Sequence, residues 1–161
     1  MVELKKITLL DDSMKECIAL DIAPEKKDHI WSNAITLAVA YKRFKRFSAA
    51  MECRAIYADG RMVGLISYNY YVDDPVFKET YYRIRPVMVD KNHLGKGYEE
   101  AAISILLEEI RIKPHGEATA IFAVCSPKED MTEIYESIGF IKTDIKLEGP
   151  NNDDIIVRMS L

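Results

Sequence analysis

The sequence predicts an α+β fold, an α/β mixed sheet flanked by helices, in one domain spanning residues 1–161. Three observations predict it. Strand-like apolar runs cluster between Arg54 and Val89 and return at 118–124 and 155–161. Helical patterns separate those clusters. A content of 48% hydrophobic and 30% charged residues supplies the core of one soluble domain and leaves a second full domain improbable. No internal repeat, low-complexity tract or linker interrupts the chain.

Val2 to Leu9 alternates weakly and reads as a first strand, after which Asp11, Asp12 and Ser13 offer N-caps for a helix through Leu20. Pro24 starts another helical region. Ser32 to Phe47, with Ile35, Ala38, Val39, Phe44 and Phe47 as its apolar residues, follows as a helix broken from the preceding one near Ser32 and Asn33. Arg54 to Ala58, the Asp59-Gly60 turn and Met62 to Tyr71 form a hairpin, because Asp-Gly supplies the positive φ angles of tight turns. Asp73, Asp74 and Pro75 end its second arm. Thr80 to Val89 is a further strand, and a helix from Gly97 to Ile112, with apolar and acidic faces, is stopped by Pro114 and Gly116. Ala118 to Val124 reads as a buried strand and Glu129 to Ile138 as a helix. Phe140 to Leu147 and Ile155 to Leu161 make a closing hairpin whose tip is Glu148-Gly149-Pro150-Asn151-Asn152-Asp153.

A net charge of −4 argues against a dedicated nucleic-acid binder, which carries a basic excess. No apolar run approaches the roughly 20 residues that span a bilayer. The N-terminus, with Glu3, Lys5 and Lys6, lacks the apolar core of a leader peptide, so the expected location is the cytoplasm. Cys17, Cys53 and Cys125 have neither the count nor the spacing of a disulfide framework or zinc site, and read as reduced, mostly buried thiols with no metal. Tyr41-Lys42-Arg43-Phe44-Lys45-Arg46-Phe47 interleaves aromatics with cations. A solvated helix face explains it better than contact with RNA or an anionic lipid.

The run from Val87 to Ala102 is an apolar strand, a short glycine-bearing loop and an amphipathic helix. That order builds an anion site. Gly95 and Gly97 allow close approach of backbone N–H groups, and the helix directs its unpaired N–H groups and positive dipole end at the same point.

Leu94 to Glu99 resembles the acetyl-CoA signature Q/R-x-x-G-x-G/A of the GNAT superfamily of N-acetyltransferases, with Leu94 where Gln or Arg is usual and Glu99 where Gly or Ala is usual. Downstream, Cys125 to Phe140 resembles the family segment N-x-x-A-x-x-L-Y-x-x-x-G-F. Ile134, Tyr135, Gly139 and Phe140 fit it, while Lys128 and Met131 replace its Asn and Ala. Together with Ser32-Asn33-Ala34 and Leu37-Ala38, these segments resemble most the bacterial diamine, spermidine and spermine acetyltransferases. The resemblance implies a mostly antiparallel sheet, splayed between the family's fourth and fifth strands to admit the pantetheine arm, with the opening helices over the acceptor end. It implies acetyl-CoA as cosubstrate, held by Met88, Val89, Leu94, Gly95, Lys96, Gly97, Tyr98, Glu99 and Lys128. It also implies a small primary amine as acceptor, a polyamine or diamine first, attacking directly in a ternary complex, and a homodimer.

Acetyl transfer from a thioester to an amine needs a proton for the departing thiolate. Tyr135 is the candidate donor, its phenol ordinarily titrating near 10 against roughly 8.5 for a simple thiol. From spacing alone a core tyrosine is the commoner outcome; the motif reverses that order. A polyamine nitrogen must first lose a proton, and the sequence offers Glu52, Glu79, Asp73, Asp74, Asp90 and His29 as bases without choosing among them. His93 reads as a cap or cofactor neighbour. Glu99, turned toward the pyrophosphate, would repel it by about 4 kcal/mol at 4 Å and an effective dielectric of 20; turned outward it would cost little and complement the helix dipole. Lys96 is positioned to offset the repulsion, and Lys128 either reaches a phosphate or stays in solvent. The departures at Leu94, Glu99, Lys128 and Met131 leave a rival open, a non-catalytic or weakly CoA-binding module of the same fold.

Overall fold

Asp59 and Gly60 take φ values of 49° and 80°, the left-handed pair required by a two-residue hairpin turn. They join the two longest strands of the fold. A computed structural model describes residues 1–8, 11–28, 30–43, 50–147 and 153–161. In chain order the elements are β1 (Val2–Lys6), α1 (Ser13–Ala19), a 3-10 turn (Pro24–Lys26), α2 (Asn33–Arg43), β2 (Met51–Ala58), β3 (Arg61–Asp74), β4 (Glu79–Ile84) and β5 (Met88–Val89). A second 3-10 turn (Lys91–His93), α3 (Tyr98–Arg111), β6 (Ala120–Cys125), α4 (Met131–Ile138), β7 (Ile141–Lys142) and β8 (Ile155–Ser160) complete it. The α+β class with a mixed sheet is as expected. The strand order is β1-β2-β3-β4-β6-β8-β7, β5 pairs with β3, and every pairing but β4 with β6 is antiparallel.

The sheet is splayed at one point. β4 pairs with β6 over Tyr81–Ile84 against Ala120–Ala123. Ile84 lies opposite Tyr68 while Met88 lies opposite Leu65, so four steps on one strand meet three on the other. The surplus residue forms a bulge at Arg85-Pro86-Val87, where Pro86 brings no N–H to the ladder. Core membership changes phase there. Tyr82 and Ile84 share a core with Val87 and Val89, whereas Met88 faces the opposite side. β6 runs on to Cys125 against β8, so the strands part beyond Ile84. The single strand expected over Thr80–Val89 is therefore two.

Helices α3 and α4 cover one face. α3 buries Ala102, Ile103, Leu106, Leu107 and Ile110, an apolar stripe at helical spacing. Below its C-terminal half Arg54 donates to Glu52 and Glu109, and Tyr68 donates to Glu109. α1 and α2 cover the other face over Ala55, Met62, Leu65 and Met88. Further along that face Phe77, Tyr81, Phe122 and Ile156 form a separate cluster closed by Ile145 and Leu147.

Three expectations are corrected. The helical region at Pro24 is a single 3-10 turn, because Ile22, Ala23 and Ile30 on either side of it are drawn into the sheet packing. The closing hairpin keeps only two residues in β7: Thr143 still donates to Ile156 O, after which Ile145 and Leu147 fold onto the aromatic cluster. Asp12 caps α1 without a side-chain hydrogen bond. Leu9, the segment from Phe44 to Phe47 and the hairpin tip from Glu148 to Asn152 lie outside the described residues. Cys17, Cys53 and Cys125 are free thiols, and burial pushes them up to about 12, 12 and 11.

Gly64 fixes how closely β5 approaches β3, since a Cβ there would lie 2.3 Å from Met88 O. Gly64→Ala is expected to cost about 2–3 kcal/mol through overpacking against backbone. Gly60→Ala, in open space at φ 80°, should cost only about 1 kcal/mol. Urea unfolding of both variants checks the order, and equal losses would show that the approach is not tight.

Candidate active site

The parting of β4 and β6 opens a cleft of about 300 Å³. Its walls are the bulge with Val87, the end of β6 with Cys125, and α4 with Tyr135; Trp31 lines it too. The backbone of the bulge is polarised toward it. Asp90 N–H donates to Val63 O at 2.8 Å, and the antiparallel alternation then turns the Met88 N–H to β3 and those of Val87 and Val89 toward the opening. Of the two, Val87 lines the cleft, and the Val89 N–H lies on the same strand edge.

The strand leads straight into the glycine loop. Gly95 and Gly97 have φ of 70° and 73°, and a Cβ on either would meet nothing within 4 Å. Glycine is required there by conformation, and the solvent side stays open to a ligand. Gly97 caps the 14-residue α3 with no side-chain hydrogen bond, leaving the first N–H groups of the helix for a ligand. The cradle fits a pyrophosphate. Lys96 is exposed; Leu94 and Tyr98 pack half-buried on the α3 side, Val89 lies in the same core, and Met88 points to the other face. Lys128, near the start of α4, is exposed.

Asp90 pins the loop. Its buried carboxylate accepts from Asp21 N at 2.8 Å, Asn92 N at 2.9 Å and Asn92 Nδ2 at 2.9 Å, with His93 Nδ1 at 3.6 Å. Burial alone would raise its pKa, but the Asp21 and Asn92 donors and then His93 outweigh that and hold it below the ordinary carboxylate value. Asp90 is therefore a structural acceptor, and His93 its neighbour.

Glu99 faces inward, its side chain 12% exposed. Lys26 Nζ lies 4.0 Å from it and 3.4 Å from Glu129 Oε1, so one cation serves two carboxylates across the cofactor side of the cleft. The charge facing Glu99 comes from Lys26, where the sequence suggested Lys96.

Tyr135 lies on α4, 3% exposed, with its ring edge-on to Phe140 at 5.0 Å. The motif glycine explains the register: Gly139 ends α4 at φ 109°, and Phe140 N–H returns to Tyr135 O at 3.0 Å. Burial, then Cys125 and Glu129, push the phenol well above its ordinary value. It holds its proton at every physiological pH.

Of the expected bases, none of the described ones lines the cleft. Glu52 is bound to Arg54, Glu79 to Arg158, Asp74 caps the turn at Val76 and Phe77, and Asp73 sits exposed in the hairpin connection; His29 lies outside the described residues. The cleft is lined instead by the acids Asp28, Glu129 and Asp154 and by Arg83 and Arg85. No spacing in the sequence marked these. The one usable signal was Arg-x-Arg before Pro86, two cations on one face of a strand that a proline breaks.

No family model matches the chain, and no curated protein matches it in sequence. Solved structures do match in fold. An aminoglycoside acetyltransferase AAC(6')-Ib, bound to coenzyme A and kanamycin, is similar with a TM-score of 0.68 at 17% identity, covering 99% of this chain and 95% of the other. The ribosomal-protein-S18-alanine N-acetyltransferase of Escherichia coli gives 0.65 at 13% identity, covering 100% and 93%. A GNAT-family acetyltransferase of Streptococcus pneumoniae gives 0.61 at 12% identity, with both chains covered in full, 100% and 100%. The splayed, mostly antiparallel sheet is the GNAT acetyltransferase fold.

Asp90 generates a pH test. Its folded pKa lies below the unfolded value near 4, so its contribution is present above about pH 4 and is lost as pH falls through the lower folded value. Asp90→Asn presents an amide to three donors and should cost about 1–3 kcal/mol at pH 7, with the gap to the native protein closing below about pH 4. A gap that stays constant down to pH 2 would show that the carboxylate charge is irrelevant.

Proposed function

We propose that the chain is an acetyl-CoA-dependent N-acetyltransferase acting on a primary amine of a small acceptor. The carrying observation is that Val87 of the bulge and Tyr135 of α4 line one cleft, and that the strand carrying Val87 and Val89 runs on into the Gly95–Gly97 cradle. Gly95, Lys96, Gly97 and Tyr98 would hold the pyrophosphate through backbone N–H groups, with Leu94, Tyr98 and Val89 as packing and Lys128 within the same surface. Acetyl-CoA supplies the acyl group in activated thioester form. The Val87 and Val89 N–H groups are donors for its carbonyl oxygen, the Tyr135 hydroxyl keeps a proton for the departing sulfur, and Glu129, which lines the cleft and is paired with Lys26, is the carboxylate assigned to take one from the amine.

A diamine or polyamine remains the first acceptor to test, supported by Asp28, Glu129 and Asp154 on the cleft wall. The kanamycin seen in the aminoglycoside acetyltransferase is likewise a small amine-bearing ligand. The second reading, a weakly CoA-binding module, is favoured by one observation: Lys26 spans Glu99 and Glu129 where the cofactor would lie.

Two results separate them. Tyr135→Phe should lower kcat by about 10²-fold while leaving acetyl-CoA affinity unchanged; full turnover by the variant, with chemistry rate-limiting, removes Tyr135 from the mechanism. Glu99→Gln should tighten acetyl-CoA binding by about tenfold at low ionic strength and by less at high salt, read by titration calorimetry. Micromolar native binding supports the enzyme. Absent native binding that appears only in the Leu94→Gln, Glu99→Gly variant supports the module.

A further inference from the structure

Arg83 and Arg85 stand two residues apart on one strand and so project from the same face, the side of α1 and α2 rather than that of α3. Both line the cleft, as does Trp31, whose ring lies 4.9 Å from the Arg85 guanidinium carbon. Arg43, also on this side, donates to Tyr71 OH at 3.0 Å. Burial, then the charge of Arg83 and, more weakly, of Arg43, depresses the Arg85 pKa. Arg83 Nε is buried with no hydrogen-bond partner.

Three other arginines meet carboxylates. Arg54 has Glu52 and Glu109, Arg111 has Glu108 and Arg158 has Glu79. Among the described residues, no carboxylate forms an ion pair with Arg83 or Arg85. Withdrawing a guanidinium from water costs several kcal/mol unless an anion meets it, and two such groups side by side add repulsion. The Gly95–Gly97 cradle is a separate place: it leads into α3, and its neighbours Leu94 and Tyr98 pack on the α3-side core, the face of the sheet opposite to Arg83 and Arg85.

We propose that Arg83 and Arg85 anchor an anionic group of the acceptor, so that the acceptor is a small primary amine that also bears a carboxylate, such as a diamino acid, rather than a bare polyamine. The planar forks of the two side chains suit bidentate carboxylate recognition. Asp28, Glu129 and Asp154, which line the same cleft, suit the ammonium end. The cleft volume lies at the lower limit for small-molecule sites, which limits the acceptor to a few carbons between the two groups. The inference rests on the acetyl-transfer reading for the fate of the amine, but not for the binding of the anion.

The test uses matched pairs that differ by one carboxylate: ornithine against 1,4-diaminobutane, lysine against 1,5-diaminopentane, and β-alanine against ethylamine. Each is titrated calorimetrically into protein saturated with CoA. In at least one pair the carboxylate-bearing member should bind about tenfold more tightly or better. That gap should vanish in the Arg83→Gln, Arg85→Gln variant and shrink in Arg85→Lys, which keeps the charge but loses the fork. Acetyl-CoA affinity should be unchanged in both. Equal binding or a preference for the bare amine in every native pair overturns the proposal. So does a gap that survives both substitutions, or a parallel loss of acetyl-CoA affinity, which would assign the arginines to the cofactor. Tight, arginine-dependent binding without acetyl transfer upholds the anchor and sinks the transferase reading instead.

Discussion

One surplus residue at Arg85-Pro86-Val87 holds the functional architecture together. A regular β4 would continue beside β6 and its N–H groups would be consumed in the ladder. The bulge changes the phase of the strand, Pro86 withholds a donor where the ladder would otherwise close, and β6 leaves with β8 as its remaining partner. An unpaired buried N–H costs about 1–3 kcal/mol, so donors at Val87 and Val89 turned toward a cleft persist only because the surrounding packing forces them to. Gly64 supplies part of that force, by letting Met88 O approach β3 where no side chain could stand.

The charge distribution divides along the same line. On the α3 side two carboxylates, Glu99 and Glu129, share Lys26, and the proposed function asks that side to accept an anionic cofactor. On the α1 and α2 side, no carboxylate among the described residues forms an ion pair with Arg83 or Arg85. The first arrangement resists an anion and the second invites one. Both are half-buried. The inward turn of Glu99 is tolerable because Lys26 reaches it from the N-terminal segment, 73 positions away in the chain. A substitution in the glycine motif is therefore compensated from outside the motif.

Much of this was legible in the sequence, and the reasons differ by element. Asp59-Gly60, the stripe of α3 and the glycine loop are local signals, each decided by a few adjacent residues, and each lies where the sequence predicts. The break at Pro86 was visible as a proline inside a strand-like run, yet its effect on register depends on the pairing with Tyr68 and Leu65. The shortening of β7 depends on an aromatic cluster built from Phe77, Tyr81, Phe122 and Ile156, residues that come together only when the sheet forms. Candidate bases chosen for lying near central strands failed because a carboxylate on a strand finds its nearest cation first: Glu52 has Arg54 and Glu79 has Arg158. The residues that do line the cleft come from four separate segments, with no common spacing to reveal them.

Cys125 tests whether direct attack is the sound reading of the cleft. It lines the cavity beside Tyr135, so an acyl group could in principle pass through its sulfur before reaching an amine. That route needs a thiolate. Burial pushes the thiol up to about 11, which leaves on the order of one molecule in ten thousand ionised at pH 7. No cation beside Cys125 lowers that barrier: Thr132 opposes the shift, and Glu129 and Asp154 reinforce it. The same apolar, acidic surroundings that silence the thiol keep the proton on Tyr135. One environment thus disfavours a competing nucleophile and preserves a proton donor, which is what the proposed direct attack by an amine requires.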